Sequence, residues 1–280
     1  MTPVPVPHLI GVGVDGAPAG CDAVVLATML AQVTQAELML IAIFEQPLLE
    51  GVVPAELGWT SVKEQARAML ARTRDSLAPH ARIAVQSNAL AWRGLLRVTR
   101  LEHRDLLVLG STRRANDGQV RLGNVADELL SHLECPLAIA PRGMPEDAGA
   151  RLERIGVGFD ATPESEAALS LAGAIALAAD ADLHVRGLVD ERVAGQLVSL
   201  SERARAAALN TSARAHVDIV SGAPADGLRE LCDHVDLLVI GSGHAGASGR
   251  VQLGSAGRTL LCDAPTPILI APRPRHAATV

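Results

Sequence analysis

The chain has 280 residues, 49% of them apolar and 20% charged, with a formal net charge of −6. That is a globular mixture, long enough for two domains of ordinary size. The acidic balance excludes partners held by attraction to a phosphate backbone or an anionic membrane, and two Trp, two Phe and no Tyr leave little for stacking on single-stranded bases.

Short apolar runs alternate with helical patterns along the chain. In order, the pattern predicts a strand over residues 9–15, a helix over 19–33, a strand over 38–44 and a helix over 62–77. A strand over 83–86, a helix over 92–102, a strand over 106–110, a helix over 124–133 and a strand over 137–140 follow. The series then begins again. Strands are expected at 155–160, 183–189, 215–220, 237–241 and 268–271, with helices at 165–179, 193–209, 225–232 and 255–261. Runs such as Leu106-Leu107-Val108-Leu109 are apolar throughout, the mark of parallel strands buried on both faces. Thr162-Pro163-Glu164-Ser165 is a helix start, with Pro near the first position and early acid.

The second series is a copy of the first. Ile10-Gly11-Val12-Gly13-Val14-Asp15 returns as Ile155-Gly156-Val157-Gly158-Phe159-Asp160, 145 residues on. His103-Arg104-Asp105-Leu106-Leu107 returns as His234-Val235-Asp236-Leu237-Leu238, and Ile139-Ala140-Pro141-Arg142 as Ile270-Ala271-Pro272-Arg273, both 131 residues on. A period this long means two homologous domains rather than a solenoid. The expected division is 1–141, a linker over 142–153 rich in Gly, Pro and charge, and 154–280. The first copy carries an insertion over 46–60, expected as a surface loop. The fold class is α/β: two repeated doubly wound domains, each a five-stranded parallel sheet flanked by helices, packed as an internal pseudo-dimer.

Several chemistries are absent from the sequence. The four cysteines form no CxxC pair and have no metal-ligand spacing with histidine, so reduced, mostly buried thiols in a cytoplasmic protein are expected, with no metal. Residues 1–7 lack a basic segment and are broken by prolines, unlike a signal peptide, and no apolar run reaches membrane-spanning length. Lys63 is the only lysine beside 24 arginines, a bias expected of a GC-rich bacterial genome. There is no GxxxxGK[ST], GxSxG or HExxH. Gly11-Val12-Gly13-Val14-Asp15-Gly16 matches GxGxxG, but its glycines lie inside the strand rather than after it. His103 and His234 precede the fourth strand of each half and read as helix-end contacts.

In an open α/β sheet, ligands sit beyond the carboxyl ends of the strands. Asp15 and Asp160 end the first strands, where they could also cap the following helix. Gly241-Ser242-Gly243-His244 and, after a nine-residue loop, Gly254-Ser255 follow the fourth strand of the second half. Gly110-Ser111-Thr112-Arg113 and Gly123-Asn124 hold the same places in the first. A glycine-rich loop running into a helix suits a phosphate.

This pattern resembles the universal stress protein family in its tandem form, whose nucleotide-binding members carry Gly-x-x-Gly-x9-Gly-[Ser/Thr] after strand four and an Asp after strand one. The resemblance covers nearly the whole chain and implies that the two halves join through their last strands, 137–140 and 268–271. It implies adenine facing Asp160 and the backbone around Leu188, with ribose and phosphates lined by Gly241, Gly243, His244, Gly254, Ser255 and Ala256. The first-half counterparts are Asp15, Ile43, Gly110, Arg113, Gly123 and Asn124. There the motif's second glycine is Arg113 and its Ser/Thr is Asn124; in the second half only the second glycine is lost, to His244. The expectation is therefore a stress-response or signalling module, not an enzyme, that binds ATP or AMP at one site in the second half. The alternative is a scaffold with both sites degenerate, acting through an unknown protein partner. Either would be a monomer built as a pseudo-dimer, or a homodimer.

Overall fold

The computed structural model describes residues 6–45, 55–145, 151–189, 197–209, 211, 214–243 and 253–272. Ten strands and eight helices are seen among them. The first half runs β1 (Leu9–Gly13), α1 (Pro18–Thr34), β2 (Glu37–Glu45), α2 (Ala55–Leu77), β3 (Arg82–Asn88), α3 (Ala91–Leu101), β4 (Leu106–Gly110), α4 (Asn124–Leu130) and β5 (Leu137–Ala140). The second runs β6 (Arg154–Phe159), α5 (Pro163–Ala179), β7 (Asp182–Val189), α6 (Leu197–Leu209), β8 (Ala215–Ser221), α7 (Pro224–Cys232), β9 (Leu237–Gly241), α8 (Ser255–Leu260) and β10 (Ile268–Ala271).

Every expected element is present, with two corrections. The first strands stop before Asp15 and Asp160, which lie in the turns that follow. Residues 55–60, expected within a loop, are the start of α2 despite Gly58, whose helical cost of about 1 kcal/mol the remaining helix formers carry. Residues 46–54 of the insertion, and 193–196 of the sixth expected helix, lie outside the described residues.

All strands within a half are parallel, in the order β3-β2-β1-β4-β5, and the second half repeats it. The two halves join through their last strands: β5 pairs antiparallel with β10, Ile139 opposite Ile268. The result is one ten-stranded sheet. Each face carries a continuous apolar core. One lies under α1 and α5 and includes Leu26, Leu30, Leu169 and Ile175; the other lies under α3 and α7 and includes Leu95, Leu109, Leu228 and Ile240. Both cores pass through the seam without a break, so the halves share an interior and are not beads on a string.

Small residues set the distance between layers. A Cβ on Gly158 would stand 2.7 Å from Leu228 of α7, and one on Gly13 would strike Leu109 of the neighbouring strand. Gly13 belongs to the GxGxxG match, and Gly158 is its counterpart in the second half. They serve strand packing.

The repeated aspartates before the fourth strands clamp the first ones. Asp105 accepts from the amides of His8 and Leu9, both at 2.8 Å, and Asp236 accepts from Glu153 and Arg154 at 2.9 and 2.8 Å. His103 sits at φ 50° in the turn after α3, whereas His234 is not in the left-handed region. Asp22 of α1 is buried and binds the amides of Gly143 and Met144 at 3.0 and 2.9 Å, holding the start of the linker; burial pushes its carboxyl above the ordinary range. None of the four cysteines is in a disulfide. Cys232 is buried, Cys21 and Cys135 half-buried, and Cys262 exposed, so the expectation of mostly buried thiols fails at Cys262. Burial pushes Cys135 and Cys232 up to about 12, which leaves them un-ionised.

The halves differ on the α7 side of β7. Where β2 has Met39 and Ile41, β7 has His184 and Arg186. Arg186 reaches Asp218 at 3.4 Å and Glu230 at 3.2 Å. His184 lies beside His216 in register, with ring centroids 5.1 Å apart, and its Nε2 is buried without a hydrogen-bond partner. Burial and then the His216 ring lower the His184 pKa, Arg154 and His234 add to this, and Asp182 opposes it. The folded chain therefore holds fewer protons than the unfolded one just below pH 6.5, and stability falls as pH drops through that window. Thermal unfolding of wild type and His184→Met is the check. The variant's advantage in Tm should widen from pH 7 to pH 5; an advantage that shrinks on acidification would mean that Asp182 outweighs burial.

Candidate functional site

In a 3-2-1-4-5 sheet the crossover direction reverses between the first and fourth strands, and a crevice opens there at their carboxyl ends. In the second half this lies between β6 and β9. A cleft of about 170 Å3 occupies it, walled by Phe159 and Asp160 from the end of β6, Ile240 and Gly241 from the end of β9, and Gly254 and Ala256 from the start of α8. Gly243, Gly257, Thr162, Glu164, Ser165 and Leu228 complete the described wall. A wider open groove of about 820 Å3 lies between the far ends of α1 and α2, at Thr28, Leu77 and Arg82. It faces the amino ends of the strands, away from the switch point and from every repeated motif, so the smaller crevice is the candidate.

Asp160 shapes the rim. Its Oδ1 accepts from the Thr162 amide at 3.1 Å and the Thr162 hydroxyl at 2.6 Å, and Thr162 in turn caps α5 by accepting from the Ser165 amide at 3.2 Å. Between them Ala161 is held at φ 60°, a conformation that costs a non-glycine residue about 1–2 kcal/mol. The Ala161 carbonyl is tied to Arg203 at 2.8 Å, which helps to hold that turn. The first-half counterpart of Ala161 is Gly16, also at positive φ. Asp15 is simpler: it accepts from the Ala17 amide at 2.9 Å, and α1 has no side-chain cap. Both aspartates therefore order the turn that starts the next helix.

The motif glycines serve two different ends. A Cβ on Gly241 would stand 2.7 Å from the carbonyl carbon and oxygen of Glu164, and one on Gly110 would strike the carbonyl of Ala19. At both positions the first turn of a helix crosses directly over the strand end. Gly254 is the opposite case. Among the described residues a Cβ there meets nothing within 4 Å, so its missing side chain leaves this part of the cleft open. Gly254 is the N-cap of α8, and Ser255 is exposed at its first position.

The first-half counterparts have protein partners. Ile43 packs on Gly94 of α3, whose added Cβ would lie 2.6 Å from it. The Arg113 carbonyl accepts from Arg142 at 2.9 Å, while its side chain is exposed. Gly123 is the N-cap of α4 and Asn124 its first residue. In the second half, Leu188 lies in β7 opposite Val220, its side chain outside the described residues, and His244 also falls outside them. Thr162, Glu164 and Ser165 were legible only as a helix start. The tertiary fold turns that start into the cleft's rim and buries Glu164 there. No helix among the described residues is long and apolar enough to cross a membrane, and no group of three or more His, Cys, Asp or Glu among them could hold a metal ion.

Comparison with known proteins agrees with this geometry. The sequence pattern of the universal stress protein family matches residues 8–141 and again 151–272. A universal stress protein of Mycobacterium tuberculosis is 28% identical over 203 residues, covering 64% of this chain and 68% of the relative. The crystal structure of a universal stress protein from Archaeoglobus fulgidus superposes with a TM-score of 0.73 at 15% identity, covering 95% of this chain and 98% of that one. A putative universal stress protein from Pseudomonas aeruginosa gives 0.64 at 16% identity, with 95% and 93% covered. At these identities the structures speak for the fold. With the family pattern matched once in each half, the chain belongs to the universal stress protein family and carries its domain twice.

Proposed function

We propose that the chain binds one adenine nucleotide, ATP or AMP, in the second-half crevice, and works as a cytoplasmic nucleotide-linked stress or signalling module rather than as an enzyme. The observation that carries this reading is the crevice itself. It lies at the switch point of the sheet, and among the described residues nothing packs where a Gly254 side chain would begin. Its volume of about 170 Å3 is below the roughly 300–1,000 Å3 of a whole-ligand pocket, so the described walls enclose only part of a nucleotide. Asp160 and Thr162 supply oxygen acceptors at the base and ribose end, and Gly243 and Gly254 supply backbone without side chains at the other. The first-half motif has lost two positions, to Arg113 and Asn124, and its Arg113 carbonyl is already bonded within the protein.

Calorimetric titration of the full chain with ATP and with AMP tests this, together with a mass spectrum of the natively purified protein. One site per chain is expected. Two equivalent sites would remove the asymmetry between the halves. A chain that binds neither nucleotide leaves the scaffold reading, in which both crevices are degenerate and the protein acts through contacts with a partner.

A further inference from the structure

The loop of the degenerate first-half motif does not stay within its own half. The Val120 amide donates to the Ala264 carbonyl at 2.7 Å and the Leu122 amide donates to the Leu261 carbonyl at 3.0 Å, a short antiparallel bridge onto the second half. Val120 is fully buried there. Leu261 is the C-cap of α8, and Ala264 lies three residues further on. The helix held by this bridge is the one that brings Gly254, Ala256 and Gly257 to the second-half crevice.

The loop is braced from behind. The Arg142 guanidinium donates to the carbonyls of Arg113 and Ala115 at 2.9 and 3.1 Å and pairs with Asp117 at 2.9 Å. The Arg142 backbone accepts from the Gly118 amide at 2.7 Å and donates to the Gln119 carbonyl at 3.0 Å. Ser111 ties the loop's two ends together, its hydroxyl bonded to the Ala140 carbonyl at 2.7 Å and the Arg121 amide at 3.1 Å.

Among the described residues the contact is one-sided. By the internal repeat, Leu253 and Leu130 should form the mirror bond to Leu122 and Leu261. Among the described residues no bond joins them. A cavity of about 20 Å3 lies at that place, beside Leu130, Leu133 and Ser242, and the buried Ser242 hydroxyl has no partner among the described residues where Ser111 has two.

We propose that residues 111–122 act as a cross-half strap, so that the first half serves as a positioning element for the second-half crevice through α8. This also accounts for the two lost motif positions. Most of the loop's amides are bonded within the protein, those of Ser111, Gly118, Val120 and Leu122 to Ala140, Arg142, Ala264 and Leu261, which leaves few with which to cradle a phosphate. The effect on ligand affinity rests on the nucleotide reading above; the strap itself does not.

Hydrogen–deuterium exchange on the full chain, without nucleotide, tests it. Leu122→Pro removes a bridging N–H. Arg142→Ala removes the brace from an exposed position that leaves the core untouched. Arg100→Ala, which breaks only surface contacts with Glu134 and the His132 carbonyl, is the control. Losing one or two bridging bonds should speed exchange in residues 255–264 by about tenfold in both strap variants, leave the rest of the second half unchanged and do nothing in the control. Arg142→Lys keeps the charge beside Asp117 but not the fork that reaches two carbonyls, and should fall between wild type and Arg142→Ala. Nucleotide affinity should weaken in parallel, again about tenfold. Unchanged exchange over 255–264 while residues 111–122 exchange faster would overturn the strap. So would a rise spread evenly over the second half, which marks general destabilisation. A wild-type chain that binds no nucleotide overturns the functional reading alone, because exchange in α8 still decides the strap.

Discussion

Replacing Gly254 by leucine is expected to abolish adenine-nucleotide binding and leave the fold as it is. Among the described residues an added Cβ meets no atom within 4 Å, and the backbone, at φ −58° and ψ 161°, is open to any residue. The added side chain therefore projects into the crevice instead of into protein. Its cost to the fold is limited to the poorer N-cap, about 1 kcal/mol. Its cost to the ligand is exclusion from space that the base, ribose or phosphates need. Affinity should fall at least about a hundredfold, or ~2.7 kcal/mol. Gly123→Leu is the matched control. It makes the same N-cap change on α4, where the nearest atom to an added Cβ is Thr112 at 3.6 Å, and should leave binding untouched. Calorimetry on both variants, with circular dichroism for the fold, is the measurement. Equal loss in both would mean that the two crevices bind alike. Full affinity in Gly254→Leu would place the ligand elsewhere.

Gly241→Ala should act in the reverse sense, on stability first. An added methyl would stand 2.7 Å from the carbonyl carbon and oxygen of Glu164 and 3.0 Å from its Cβ. Backbone atoms cannot swing aside as a flexible side chain can, so the first turn of α5 must move off the sheet. Overpacking of this kind costs about 1–3 kcal/mol, and a backbone obstacle puts the expectation at the upper end. The thermal midpoint should fall by about 5–10 °C. Gly110→Ala should behave alike against the Ala19 carbonyl. A Gly241→Ala protein with wild-type stability and no nucleotide binding would show that this glycine serves the ligand and not the helix crossing.

These two glycines mark the boundary between what could and could not be read in advance. In the sequence, Gly241 and Gly254 are equal members of one motif. In the structure one is a packing requirement and the other an opening. Asp15 and Asp160 divide in a similar way: both order the turn after the first strand, but only Asp160 is linked to a side-chain cap through Thr162. Asp105 and Asp236 were legible as a repeat, yet their purpose was not, because the amides they clamp lie 96 and 82 residues away in the chain.

The joining of the halves through their last strands was implied by the family resemblance; the sequence by itself determined the ten strands, the eight helices and the doubling of the domain. It could do so because these follow from local patterns: continuous apolar runs that must be buried on both faces, helix starts with Pro and early acid, and a repeat that writes each pattern twice. Only the tertiary structure decided that the halves share two unbroken cores, that the first-half motif loop is bound to the second half, and that one crevice is lined by open space at Gly254. Each of these depends on which backbone atoms of distant segments approach one another. That distance is set by how closely helices and strands can pack, and no residue type records it in its neighbours along the chain.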